Sequence, residues 1–149
     1  MNDWLTAYGE SHQNSTNKTI HWICIPLIML SLLGLLYSIP FFVEKTLLFN
    51  WAAAFMAFTL LFYLRLSPAI FAGFVLIGIA MVYIVHSIAQ AGQPLLYISI
   101  GVFVLAWIGQ FIGHKIEGKK PSFFDDLQFL LIGPAWLLHF IYRKIGISI

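Results

Sequence analysis

Two histidine-bearing stretches bracket the apolar bulk of this 149-residue chain. The first is His12-Gln-Asn-Ser-Thr-Asn-Lys-Thr-Ile-His21, and the second is Gln110-Phe-Ile-Gly-His114-Lys-Ile-Glu117-Gly-Lys-Lys-Pro121. The sequence is 60% hydrophobic and only 9% charged, so side chains able to hold a divalent ion are scarce. Their gathering at the ends of apolar runs points to a membrane enzyme with a metal site. Gln110, His114 and Glu117 recur at i, i+4 and i+7, which is one face of a helix continuing past Gly113. A neutral imidazole and a carboxylate on that face suit an ion such as Fe(II), and Gln110 is placed to orient a ligand from behind. Gln110 falls inside the fourth apolar run, where polar side chains usually serve a function, so the functional reading leads and Glu117 and Gln110 are the candidate catalytic residues. The competing reading is a helix end capped by polar groups, with Glu117 paired to a nearby lysine.

His12 and His21 on one continuous helix would be about 13 Å apart in rise and half a turn out of phase, unable to share an ion. The segment between them, Asn14-Ser15-Thr16-Asn17, is rich in residues that cap helix N-termini. It predicts a short N-terminal helix, a break, and a new helix starting near Asn17, so that a bend brings the imidazoles together. Alternatively, both are interfacial side chains at headgroup depth. His86 closes another apolar run, on the opposite membrane face by simple counting of crossings. His139, among Leu, Trp and Phe, fits a hydrogen-bonded packing role. The tryptophans read as membrane anchors or packing.

The elements that must position these groups are membrane helices. Mean hydropathy is +0.88, far outside the soluble range, and 149 residues predict a single integral membrane domain, residues 1–149. Four runs approach the roughly 20 residues a crossing requires: Trp22 to Ile39, Leu47 to Leu64, Pro68 to His86 and Leu95 to Gly113. A fifth, Leu127 to Tyr142, is shorter and interrupted by Gly133-Pro134, and it crosses, lies in the interface or re-enters. Pro40 with Glu44-Lys45, Arg65-Leu-Ser-Pro68 and Gln90-Ala-Gly-Gln-Pro94 separate the runs. The fold class is all-α, a polytopic membrane helix bundle of four to five transmembrane helices with a short N-terminal helix. With the N-terminus in the cytoplasm, Lys18, Arg65, Lys115, Lys119 and Lys120 face inward against Lys45, and His12, His21 and His114 share one side. The acidic Asp3 and Glu10 and the length of the first run do not fit a cleaved signal peptide.

Composition also excludes classes. A net charge of +2 and lysines confined to short connections imply no nucleic-acid partner. One cysteine, Cys24, permits neither an intramolecular disulfide nor a thiolate cluster. There is no P-loop, Rossmann glycine pattern, Gly-x-Ser-x-Gly or His-Glu-x-x-His, and no clustered His-x-x-His-His box.

Taken in order, Tyr8…His12-x-Asn14-x-x-Asn17-x-x-x-His21-x-x-x-x-Pro26, then Gln110-Phe-Ile-Gly-His114-x-x-Glu117-x-x-x-Pro121 and Gly133-Pro134, the pattern resembles a family of small membrane dioxygenases. Its characterised fungal members carry out α-oxidation of 2-hydroxy fatty acids. The resemblance covers nearly the whole chain. It implies Fe2+ as cofactor, a 2-hydroxy fatty acid and O2 as substrates, a bacterial inner membrane or endoplasmic reticulum location, and His12, His21 and His114 as metal-site residues. His86 looks like a further family histidine, and no role transfers to His139. The rivals are a small membrane transporter or channel, which needs ionisable residues along an intramembrane path, and a haem-binding membrane protein, which needs two histidines on facing helices.

Overall fold

The computed structural model describes residues 13–118 and 130–146. Among them the chain is all-helical: α1 Ser15–Ser38, α2 Trp51–Leu66, α3 Pro68–Gln90, α4 Leu95–Ile116 and α5 Ile132–Lys144. Three of these, α1, α3 and α4, are long and apolar enough to cross a membrane. α2, with 16 residues, rises about 24 Å, less than the roughly 30 Å of hydrocarbon, because it starts at Trp51 and not at Leu47. The short N-terminal helix expected before His12 lies outside the described residues.

Local chemistry sets the helix ends. Asn14 receives the Thr16 and Asn17 N–H groups on its side chain at 2.9 and 3.3 Å, so α1 begins at Ser15, and the expected break between His12 and His21 is present at Gln13-Asn14. α1 then runs through Pro26 without interruption. Ser67 serves two helices: its N–H donates to the Tyr63 carbonyl at 2.9 Å, closing α2, and its hydroxyl accepts the Ala69 N–H at 3.2 Å, opening α3. Its extended backbone is what a residue before proline prefers, and Pro68 occupies the first turn, where a missing N–H costs nothing. α3 ends in a Schellman motif, with Gly92 at φ 71 and N–H donation from Gly92 to Ala89 and from Gln93 to Ile88. Only glycine takes that conformation cheaply. The fifth run is interrupted near Gly133-Pro134: Leu130 and Leu131 form a turn, and the dipeptide lies in the first turn of α5, where proline is tolerated.

The chain divides into two compact units, Met1–Pro26 with Leu105–Ile149, and Leu27–Val104. Within the second, α2 and α3 form an antiparallel hairpin. Tyr63 stacks on Phe74 with ring centres 3.9 Å apart, and Gly78 leaves room for Met56. Both aromatic rings are fully buried, so the hairpin carries its own core. Asn50 anchors its start. It accepts the Ala53 N–H at 2.8 Å and donates to the Thr46 and Leu47 carbonyls at 2.8 and 3.1 Å, while 1% exposed. Asn50→Ala removes a cap worth about 1 kcal/mol and strands two carbonyls. The expected result is a loss of about 2 kcal/mol in detergent unfolding, and a midpoint equal to wild type would show the cap to be dispensable.

In the first unit α1 meets α4 at small residues. A Cβ on Gly109 would lie 2.6 Å from Cys24 Sγ, and one on Gly113 would run into Asn17 Oδ1. Such glycines let two backbones approach closely in a membrane. Trp22 packs edge-on against Phe140 of α5 at 5.5 Å.

Candidate metal centre

That close approach brings the two sequence-distant histidines together. The rings of His21 on α1 and His114 on α4 lie with centres 5.0 Å apart, edge to face at 84°, and are 1% and 7% exposed. His21 Nδ1 lies 3.0 Å from the Asn17 carbonyl oxygen one turn earlier. A carbonyl only accepts, so Nδ1 carries the proton and Nε2 the lone pair. This is how metal-binding histidines are held in the ligating tautomer.

Gln110 is 5% exposed and sits one turn before His114 on α4. Gln110 and His114 are both buried on α4, and Glu117, in the turn after α4, is directed at the start of α1. Its carboxylate reaches the start of α1, accepting from the Gln13 and Asn14 N–H groups and from Asn17 Nδ2 at 2.8 to 3.1 Å. From sequence Asn17 is a capping residue and a position of the family pattern, with no role assigned. It is completely buried and links Glu117 to His21. The available signal was its position four residues before His21, where a helical carbonyl meets an imidazole.

His12 lies outside the described residues. Among those described, no three His, Cys, Asp or Glu side chains gather as a metal site; the paired donors are two imidazoles. They fit a divalent ion in chemistry, being neutral nitrogen donors, and in spacing, since one ion binds imidazole nitrogens at about 2.0–2.1 Å.

His86 belongs to the second unit, where its Nδ1 is 2.9 Å from the Tyr37 hydroxyl. If the phenol donates, Nε2 holds the proton and cannot ligate; if Nδ1–H donates, Nε2 is available. Lys45 donates to the Tyr37 carbonyl at 2.6 Å and lies over its ring at 5.1 Å, closing the end of α1. His139 does not show the hydrogen bond expected at its packed position: its buried Nδ1 has no such partner among the described residues. Burial and the Arg143 guanidinium hold its imidazole below the usual histidine range, so it packs as a neutral ring.

No solved structure matches the chain. The 2-hydroxy-palmitic acid dioxygenase MPO1 of Saccharomyces cerevisiae is 28% identical over 144 residues, covering 95% of this chain and 79% of that protein. Over residues 1–145 the sequence matches the family described as 2-hydroxy-palmitic acid dioxygenase Mpo1-like. Paired histidines at a helix crossing, in a chain matched over nearly its whole length, leave one conclusion: this protein belongs to the Mpo1-like family.

Proposed function

We propose that the chain is an iron-dependent dioxygenase that converts a 2-hydroxy fatty acid into the fatty acid one carbon shorter. The observation that carries this reading is the facing pair of His21 and His114, 5.0 Å apart, with the His21 tautomer set for ligation. His12 supplies the third imidazole of the set. A ferrous ion held there would supply O2 activation and a chelation point for the hydroxyl and carboxylate of the substrate. The conversion balances with one O2: RCH(OH)COOH and O2 give RCOOH, CO2 and H2O, so no separate reductant is needed.

The protein's own groups do the rest. His21 and His114 hold the site rigidly because both rings are buried. Gln110 orients the substrate or a ligand from the same helix face. The acyl tail remains in lipid or between apolar helices, and the exposed Lys115 draws the carboxylate to the interface. The N-terminus faces the cytoplasm, which places the basic connections on that side.

Purified protein should contain iron and consume 2-hydroxypalmitate under oxygen, yielding the C15 acid by mass spectrometry. No iron together with no turnover would defeat the reading. A haem carrier also uses two histidines on facing helices, and a Soret band would redirect the assignment there. Solute flux in liposomes without lipid turnover would favour a transporter.

A further inference from the structure

Glu117 is a candidate catalytic residue by its spacing, yet its contacts tie it to the backbone just before α1 and to the Asn17 side chain. Oε1 accepts from Gln13 N–H at 2.8 Å and Asn14 N–H at 3.1 Å. Oε2 accepts from Asn14 N–H at 3.0 Å and Asn17 Nδ2 at 2.8 Å. Three donors thus meet the carboxylate, the Asn14 N–H being shared between both of its oxygens, out of about four lone-pair sites. The amides at the start of a helix have no internal acceptor, and the helix dipole favours negative charge there. Glu117 thus acts as a cap for α1 from a position 100 residues distant from Asn17.

We propose that Glu117 is a positioning residue: acting through Asn17, it fixes His21 against His114, and it neither ligates the metal nor transfers a proton. The linkage is continuous. Glu117 holds Asn17 Nδ2, which orients that amide so that Oδ1 rests on Gly113, the residue before His114. The Asn17 backbone carbonyl meanwhile receives His21 Nδ1–H. Asn17 is wholly buried and has little freedom to rearrange. One carboxylate therefore sets both the entry of α1 and the seat of α1 on α4. The inference rests on His21 and His114 being the metal ligands.

A reciprocal exchange of groups tests it. Glu117→Gln weakens the link, Asn17→Asp sets two carboxylates against each other, and the double variant restores it, with the new amide at position 117 donating to the new carboxylate at position 17. Two readouts apply, both on full-length protein in detergent. In the first, with no metal added, amide hydrogen exchange over residues 13–21 should rise at least tenfold in each single variant and return close to wild type in the double. In the second, Co(II) binding should weaken by about 10–100-fold in the singles, the range for lost outer-shell partners, and recover to within a few-fold in the double. Exchange unchanged by Glu117→Gln overturns the proposal. So does a double variant no better than Glu117→Gln, or a Glu117→Gln protein that binds Co(II) normally but loses a limb of the kcat/KM pH profile. The exchange measurement needs neither metal nor substrate, so it decides the clamp even if the dioxygenase reading fails.

Discussion

His21→Ala and His114→Ala are each expected to abolish bound iron and 2-hydroxy fatty acid turnover together. Loss of an outer-shell partner costs about 10–100-fold in metal affinity, and loss of one of two facing imidazoles should exceed a hundredfold. His21 is 1% exposed, so alanine there also opens a void. His21→Gln keeps most of the volume, and should remain folded while still losing iron. His139→Ala is the control: that ring packs as a neutral group in the same unit, and its removal should lower stability but leave iron in place. Elemental analysis of each purified protein, with product measured by mass spectrometry, separates the roles. Full iron and wild-type turnover in either His21→Ala or His114→Ala would remove that residue from the site. Full iron without turnover would make it a substrate contact.

The sequence disclosed those features whose chemistry is local. Ser67-Pro68, Gly92-Gln93-Pro94 and Asn14 end or begin helices through bonds to residues within a turn or so, and such bonds depend on neighbouring residue types. Even there, hydropathy alone misplaced the start of α2, because Leu47 and Leu48 belong to an apolar stretch while the capping bonds belong to Asn50. Gly133-Pro134 was ambiguous for a related reason: the same dipeptide breaks a helix or starts one according to which side the helix lies. Helical spacing correctly put Gln110 and His114 on a common buried face. What spacing could not reveal was the destination of Glu117, since its partners lie about a hundred residues earlier. Nor did composition show that Gly109 and Gly113 were contact positions, because a glycine's value at a crossing depends on what the opposing helix presents. The tautomer of His21 was equally hidden, being fixed by the Asn17 carbonyl once α1 had formed.

Gly113→Ala should therefore be far more damaging than its size suggests. In an open helical position, replacing glycine with alanine stabilises by roughly 0.8–1 kcal/mol; Gly101, whose added Cβ would meet nothing within 4 Å, should behave that way. At Gly113 the new methyl runs into Asn17 Oδ1 and comes within 3.3 and 3.4 Å of His21 Cε1 and Nδ1. Asn17 cannot retreat easily, because it is buried and its amide nitrogen is held by Glu117 at 2.8 Å. The helices must separate instead, and the His21 to His114 spacing must grow. Overpacking of this kind costs about 1–3 kcal/mol, and a misplacement of about 1 Å at a reacting site can cost a hundredfold in rate. The expected result is protein that remains folded with weakened iron binding and kcat/KM down by about two orders of magnitude. Gly109→Ala supplies the comparison. Its methyl would sit 2.6 Å from Cys24 Sγ, a clash that Cys24→Ala removes, so that double variant should recover activity. Adding Asn17→Ala to Gly113→Ala relieves the clash too, but also deletes the link from Glu117 and should not restore iron binding. Wild-type iron content and rate in Gly113→Ala would show that the close approach of α1 and α4 is not what holds the two imidazoles together.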